Sequence, residues 1–520
     1  MKKILITIIT SLSLISCSNW LDVFPNSEIT GDKVFSNPNG FYSALAGLYN
    51  KMSDDKLYGF DMTAGYFDQM GGSLWTGAQN FVTFYANHSA YYKNVLSVQL
   101  MALNHTRGGV RYDYTDNVYM SMWTGLYNTI TNANTLIKEL EECDKEMFEP
   151  GVWELLMGET LAVRAYIHLD LVRIFQLPYL CKEGKTDARI PLMTTLDFTK
   201  FIPSSTTDVI LDQVDADLAK SAELMKKVDP ISSDAIYYAP MFSATSRQYK
   251  LNFYAVKLLQ ARSFHYRGMD KLAYDAAKEV IENAGAKYHF ITDAEASILD
   301  SEGTAINRSF PMENLFAVLT EELDENMQDA IKSTGKRYGY FGRINSNPWL
   351  STVDYPAPKP DGFFSSENDI RLKLWTRRVY PSGMVGKFIR ESTDDADIAL
   401  YPREAMPLLK LGEAYLIAAE AAINTTSATE ALKLLNDLQT ARKGGLSTSL
   451  DKDVLLEDLR LEARREFLGE GQLFFFYKRR NAEKLETLFQ VPSGDYYFTM
   501  TPAMYTPDIP DAEFNGGRTY

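Results

Sequence analysis

"LLKLGEAYLIAAEAA" (residues 408–422) decides how this chain is to be read. Leu411-Gly412 followed by Tyr415 is the spacing of the first helix of a two-helix repeat, and Ala428 and Leu432 fit the second helix after a short insertion. The same pattern occurs upstream. Ala261, Phe264, Ala273, Ala277 and Val280 fall on the small and aromatic positions, with Gly268-Met269-Asp270 where such a repeat turns, and "WTGLYNTI" (123–130) reads as another first helix. Each hairpin leaves an apolar face that only a neighbouring hairpin covers.

Helical periodicity extends beyond the repeats. Trp123, Leu126, Tyr127, Ile130, Ile137 and Leu140 recur every three or four residues, as do Ala162, Ala165, Tyr166, Leu169 and Val172. Small Gly158, Ala162 and Ala165 leave room for a close helix neighbour, and Pro178 stops that helix. The predicted fold is mainly α: an irregular tetratricopeptide-like stack of helical hairpins, an α/α superhelix. Residues 53–116 and roughly 286–400 break the pattern. They are rich in Gly, Asn, Ser, Pro, Tyr and Phe without sustained helical period, and loops of that length in a compact fold are usually functional.

The N-terminus carries its own signal. Lys2 and Lys3 precede an apolar run from Ile4 to Ile15, shorter than the roughly 20 residues a spanning helix needs. Leu14-Ile15-Ser16-Cys17 resembles a bacterial lipobox, in which the cysteine thiol is the nucleophile that takes up the lipid. Residues 1–16 are therefore expected to be a signal peptide and Cys17 a lipid anchor. The formal net charge of −15 argues against nucleic acid and against an affinity for anionic lipid. Cys143 and Cys181 close opposite ends of an expected antiparallel helix pair, about 35 Å apart at 1.5 Å per residue, so no disulfide is expected between them.

The chemistry-bearing motifs are few. There is no phosphate loop, no H-E-x-x-H, no C-x-x-C and no G-x-S-x-G. His88, His105, His168, His265 and His289 lack metal-ligand spacing. In "RLEARREFLGEGQLFFFYKRR" (460–480) opposite charges sit at helical neighbour spacing. Glu466 and Glu470 are expected to pair with nearby arginines, with a glycosidase acid–base pair as the alternative.

Taken together, these segments resemble the SusD/RagB family, surface lipoproteins of Bacteroidetes-type bacteria that work with a SusC-like TonB-dependent outer-membrane transporter. The resemblance rests on "CSNWLDVFP" (17–25), "GETLAVRAYIHLDLVRIFQLPYL" (158–180), the stretch at 408–422, "EARREFLGEGQLFFFYKRR" and "IPDAEFNGG" (509–517), in that order. The family's C-terminal signature usually has His, Trp and Asp where this chain has Gln472, Phe474 and Phe476. The resemblance implies residues 17–520 as one domain, a non-enzymatic glycan or oligosaccharide binder at the outer membrane facing outward, and delivery to the transporter. It implies no cofactor and contact with the membrane through the anchor only; whether a metal braces the site is left open. A surface polysaccharide hydrolase, or a peptide-binding or docking subunit, are the alternatives.

Sugar sites need exposed aromatic planes and hydroxyl partners. The first loop region offers Tyr66, Phe67, Asp68, Trp75, Asn80, Phe81, Tyr85, Arg111 and Tyr112; the second offers Tyr338, Tyr340, Phe341, Arg343, Asn345, Asn347 and Trp349. Trp75 and Trp349, with Tyr340 and Phe341, are the expected stacking planes, and Asp68, Asn345 and Asn347 the expected hydroxyl contacts.

Overall fold

The computed structural model describes residues 34–71, 113–196, 201–285, 287–301, 303–320, 323, 343–344, 364–379, 382–385, 387–388, 404–486 and 497–515. Apart from two short helices at Asp293–Ala296 and Asp511–Asn515, the α-helices among the described residues are α1 (Pro38–Met52), α2 (Tyr66–Met70), α3 (Asp113–Glu142), α4 (Val152–Phe175), α5 (Thr207–Met225), α6 (Phe253–Tyr266), α7 (Asp270–Asn283), α8 (Ile370–Trp375), α9 (Leu411–Thr425), α10 (Ala428–Ala441), α11 (Lys452–Glu466) and α12 (Gln472–Arg479). The mainly α prediction holds.

Local chemistry sets the ends. Asn37 caps α1 through Asn39 N–H, with Pro38 in the first turn, where its missing N–H costs nothing. Thr206, Asn252, Ser427 and Asp451 cap α5, α6, α10 and α11. Packing then follows chain order. α3 lies on α4, α4 on α5, α5 on α6, α6 on α7, α7 on α9 and α9 on α10. The contact of α7 with α9 is where one predicted repeat covers the apolar face of the next. α4 is buried on nearly every side, and Ser221 of α5 donates to the Gly158 carbonyl at 2.6 Å, the close approach that the small residues of α4 permit.

The second loop-rich region is not all loop. Strand β1 (Asn314–Leu319) pairs antiparallel with β2 (Ala405–Lys410), Asn314 opposite Lys410 and Leu319 opposite Ala405, with an irregularity near Phe316. β2 runs straight into α9, whose N-cap is Lys410. A short hairpin pairs Thr376–Val379 with Ser382–Val385. Cys143 and Cys181 are both unpaired. Among the described residues no helix is long and apolar enough to cross a membrane.

Candidate functional site: the hub beneath the two loop regions

Trp75, Tyr340, Phe341, Asn345, Asn347 and Trp349 lie outside the described residues, as do Asn80, Phe81, Tyr85, Arg111, Tyr112, Tyr338 and Cys17, the expected site of lipidation. The structure does locate Tyr66, Phe67 and Asp68. All three sit on α2, which packs against α12, rather than in an open loop, and each is fully buried. The expectation of Asp68 as a ligand hydroxyl contact is therefore corrected. Its Oδ1 accepts the N–H groups of Gly469 at 2.9 Å and Gly471 at 3.2 Å, some four hundred residues away in sequence.

Those two glycines make the turn between α11 and α12. Gly469 and Gly471 have φ of +76° and +71°, a region costly for any side chain. A Cβ on Gly471 would also lie 2.6 Å from the Thr63 carbonyl oxygen. The turn so formed aims two N–H groups at one carboxylate. Next to it, Phe67 packs on Phe475 with ring centroids 4.8 Å apart, and Gly71 abuts the Phe474 backbone. The chain re-enters in α3, where the Tyr119 hydroxyl reaches Met70 Sδ at 3.9 Å. Both ends of the first loop region thus meet at α2, which rests on the start of α12.

The second region is rooted on the same turn from the other side. Lys387 Nζ donates to the Leu468 carbonyl at 3.1 Å and to Glu470, and lies 3.9 Å above the Trp375 ring. Lys410, at the end of β2, reaches Glu470 at 2.8 Å and Glu466 at 3.4 Å. Arg442 holds Glu466 and Glu313 together, with Nε to Glu466 at 2.9 Å and Nη1 to Glu313 at 2.6 Å. Arg371 of α8 contacts Glu466 at 3.1 Å, Glu462 at 2.7 Å and Asp369 at 2.8 Å. This is structural pairing, as expected for Glu466 and Glu470. Their partners, however, are Arg442, Arg371 and two lysines brought from distant segments, not the neighbouring Arg464 and Arg465.

The electrostatics follow from burial. Burial pushes the Asp68 carboxyl up to about 7, against Gly471, Gly469 and Lys387, which favour the charged form. Asp68 Oδ2 has no hydrogen-bond partner among the described residues. Burial pulls Lys387 down to about 8, with Glu470 opposing. Burial raises Glu466 too, but Arg442, Lys410 and Arg371 outweigh it and hold the carboxyl well below the usual range. Glu466 is fully enclosed and clamped by Arg442, Lys410 and Arg371 with no face open to a substrate, which leaves the glycosidase reading of Glu466 and Glu470 without support here.

A second polar interior lies between α4, α6, α9 and α12. A cavity of ≈ 50 Å³ is lined by Arg173, Arg262, His265, Glu413, Glu420, Gln472 and Arg479 among others, room for a few waters. Arg262 forks onto Glu413, both bonds at 2.6 Å. Gln472 accepts from Arg173 at 2.6 Å, so the residue that departs from the family pattern has a local role. His168 Nε2 accepts the Met193 N–H at 3.2 Å, so its Nδ1 donates to the Arg164 carbonyl at 3.0 Å. Burial drives His168 down to about 4 and His265 down to about 3, so both are neutral packing residues. Among the described residues no His, Cys, Asp and Glu group could hold a metal ion.

Sequence reading missed Lys387, Arg371, Arg442 and Glu313 as members of one hub. The signal in the sequence was weak: single charges such as Lys410 within apolar "MPLLKLGEAYL", which announce a buried partner without saying where it is.

The comparisons with known proteins agree with this architecture. Residues 19–244 match a family described as starch-binding, associating with outer membrane, and residues 375–510 match the SusD family. No curated protein matches the chain. Among solved structures, a sugar binding protein from Bacteroides vulgatus ATCC 8482 superposes with a TM-score of 0.63 at 20% identity, covering 92% of this chain and 96% of that one. A SusD-like carbohydrate binding protein from the same organism gives 0.63 at 17%, with 92% and 96% covered. A SusD-like protein from Bacteroides fragilis NCTC 9343 gives 0.65 at 17%, with 95% and 98% covered. At these identities the structures speak for the fold, while the two matched spans, together taking in well over half of the sequence, show that the chain belongs to the SusD/RagB family.

Proposed function

We propose that this protein is a lipid-anchored glycan- or oligosaccharide-binding subunit of the outer membrane, facing outward, that captures its ligand and passes it to a SusC-like TonB-dependent transporter. Membership in a family described as starch-binding supports the ligand class. The observation that carries the site is that both loop regions spring from one hub: Asp68 and Phe67 on the Gly469–Phe475 turn from one side, Lys387 and Arg371 on Glu470 and Glu466 from the other. A buried ionic hub of this kind holds two long insertions in a defined relation, which a site assembled from both needs. Trp75 and Trp349 are the proposed stacking planes, with Tyr340 and Phe341 beside the second and Asn345 and Asn347 for hydroxyls. The mechanism is affinity and proximity. Closing over the transporter when loaded requires only that ligand bind the closed state better than the open one.

The test is affinity electrophoresis of residues 18–520 through gels containing plant, host and microbial polysaccharides, with Trp75→Ala and Trp349→Ala alongside. Retardation by a glycan, lost in either variant at unchanged thermal stability, is the expected result. Retardation that survives both substitutions moves the site elsewhere. Binding of oligopeptides with no glycan retarded, or release of reducing ends from a polymer, would replace the reading with one of its alternatives.

A further inference from the structure

Among the described residues the most exposed large apolar side chains are Ile236, at 89%, and Tyr238, at 95%. Scattered apolar exposure is ordinary; this pair is different in being held out on purpose-built support. Burial alternates along the segment, with Ala235, Tyr237 and Ala239 turned inward and Ile236 and Tyr238 outward. Tyr237 fastens the inner side, its hydroxyl donating to the Val228 carbonyl at 2.7 Å and its ring 6.0 Å from that of Phe242. The Tyr238 N–H donates to Glu149 at 3.3 Å. Lys226 and Lys227, both exposed, immediately precede Val228, whose carbonyl takes the Tyr237 hydroxyl, and Asp234, also exposed, lies two residues before Ile236.

The tip stands where the tether enters the fold. Phe35 packs on Phe41 at 4.9 Å and Phe41 on Phe148 at 5.2 Å, next to the Glu149 that holds Tyr238. Tyr42, on the same turn of α1, packs on Phe242 at 5.4 Å. The segment from Cys17 to Val34 reaches at most about 60 Å when extended, longer than the about 35 Å length of α4. A lipid on Cys17 therefore keeps the molecule at the membrane without choosing which end faces it.

We propose that the Ile236–Tyr238 tip enters the headgroup–acyl boundary of the membrane that carries the Cys17 lipid, with Lys226 and Lys227 reaching the phosphates. An aliphatic side chain, a tyrosine and two flexible lysines are the combination that partitions to that boundary. The net negative charge of the chain is repelled from anionic headgroups, so the contact rests on the apolar side chains of the tip. The inference rests on the tether reading and adds a second contact to the expectation that the anchor alone meets the membrane.

The test uses the full lipidated protein in vesicles of phosphatidylcholine and phosphatidylglycerol containing a nitroxide-labelled lipid. An environment-sensitive fluorescent amino acid replaces Ile236 in one sample. In a control it replaces Lys271, which lies beyond the far end of α4, where Gly268 meets Leu180. Vesicle flotation is read in parallel, with Cys17→Ser as the unanchored reference. The expected result is a blue shift and quenching at 236, neither at 271, and flotation lost only in Cys17→Ser. Floating protein whose probe at 236 emits as in buffer, or whose two probes are quenched alike, overturns the tip contact and leaves the tether standing. Protein that does not float and carries no lipid by mass overturns both.

Discussion

Asp68→Asn probes the hub at its most sensitive point. The unfolded chain releases this proton near the ordinary value of 3.8, whereas burial holds the folded carboxyl up to about 7. Between those limits the folded state binds more protons than the unfolded one, so the contribution of Asp68 to stability is complete below about pH 4 and is lost as pH rises through 7. From pH 5 to 7.5 the loss amounts to roughly 2–3 kcal/mol. Asparagine keeps an oxygen for the Gly469 and Gly471 N–H groups but carries no proton equilibrium. The variant is therefore expected to gain about 2–3 kcal/mol on the wild type over that interval, whatever its stability at pH 5. For a chain of this length that corresponds to about 2–3 °C in Tm, within reach of scanning calorimetry at the two pH values. Taking the difference between variant and wild type removes the other titrating groups, and stopping at pH 7.5 keeps below the loss of the Lys387 proton at about 8. Parallel Tm lines for the two proteins from pH 5 to 7.5 would refute the assignment of Asp68 as a carboxyl kept neutral by burial.

Glu466→Ala leaves Arg442, Lys410 and Arg371 facing one another in the interior; removal of one member of a buried ion group costs about 3–5 kcal/mol, so chemical unfolding is expected at clearly lower denaturant, and a loss near zero would mean that water reaches the hub. Cys143 and Cys181 are expected to titrate as two free thiols once the protein is unfolded, with reductant leaving Tm unchanged, because each lies alone; a reductant-sensitive Tm would contradict the fold.

The sequence by itself determined the helical hairpins, since small and aromatic residues at fixed spacing are a local property that packing between neighbours merely uses. Leu411, Gly412 and Tyr415, or Ala273, Ala277 and Val280, mark α9 and α7 without reference to anything distant, and their expected contact is the one found. The family signature was legible for the same reason, as runs of residues in order. Only the tertiary structure decided what the charges in that signature do. Arg464 and Arg465, the arginines nearest Glu466 in sequence, lie two and one residues before it on α11 and face other ways, and the fold instead brings Arg442, Arg371 and Lys410 to it. Asp68 looked like a polar loop residue because nothing local announces that Gly469 and Gly471 will present two N–H groups to it. Burial sets the protonation of such groups and chain topology sets their partners, and neither is encoded within a few residues. That is why the scaffold could be read from the string of letters while the hub that roots the two loop-rich regions could not.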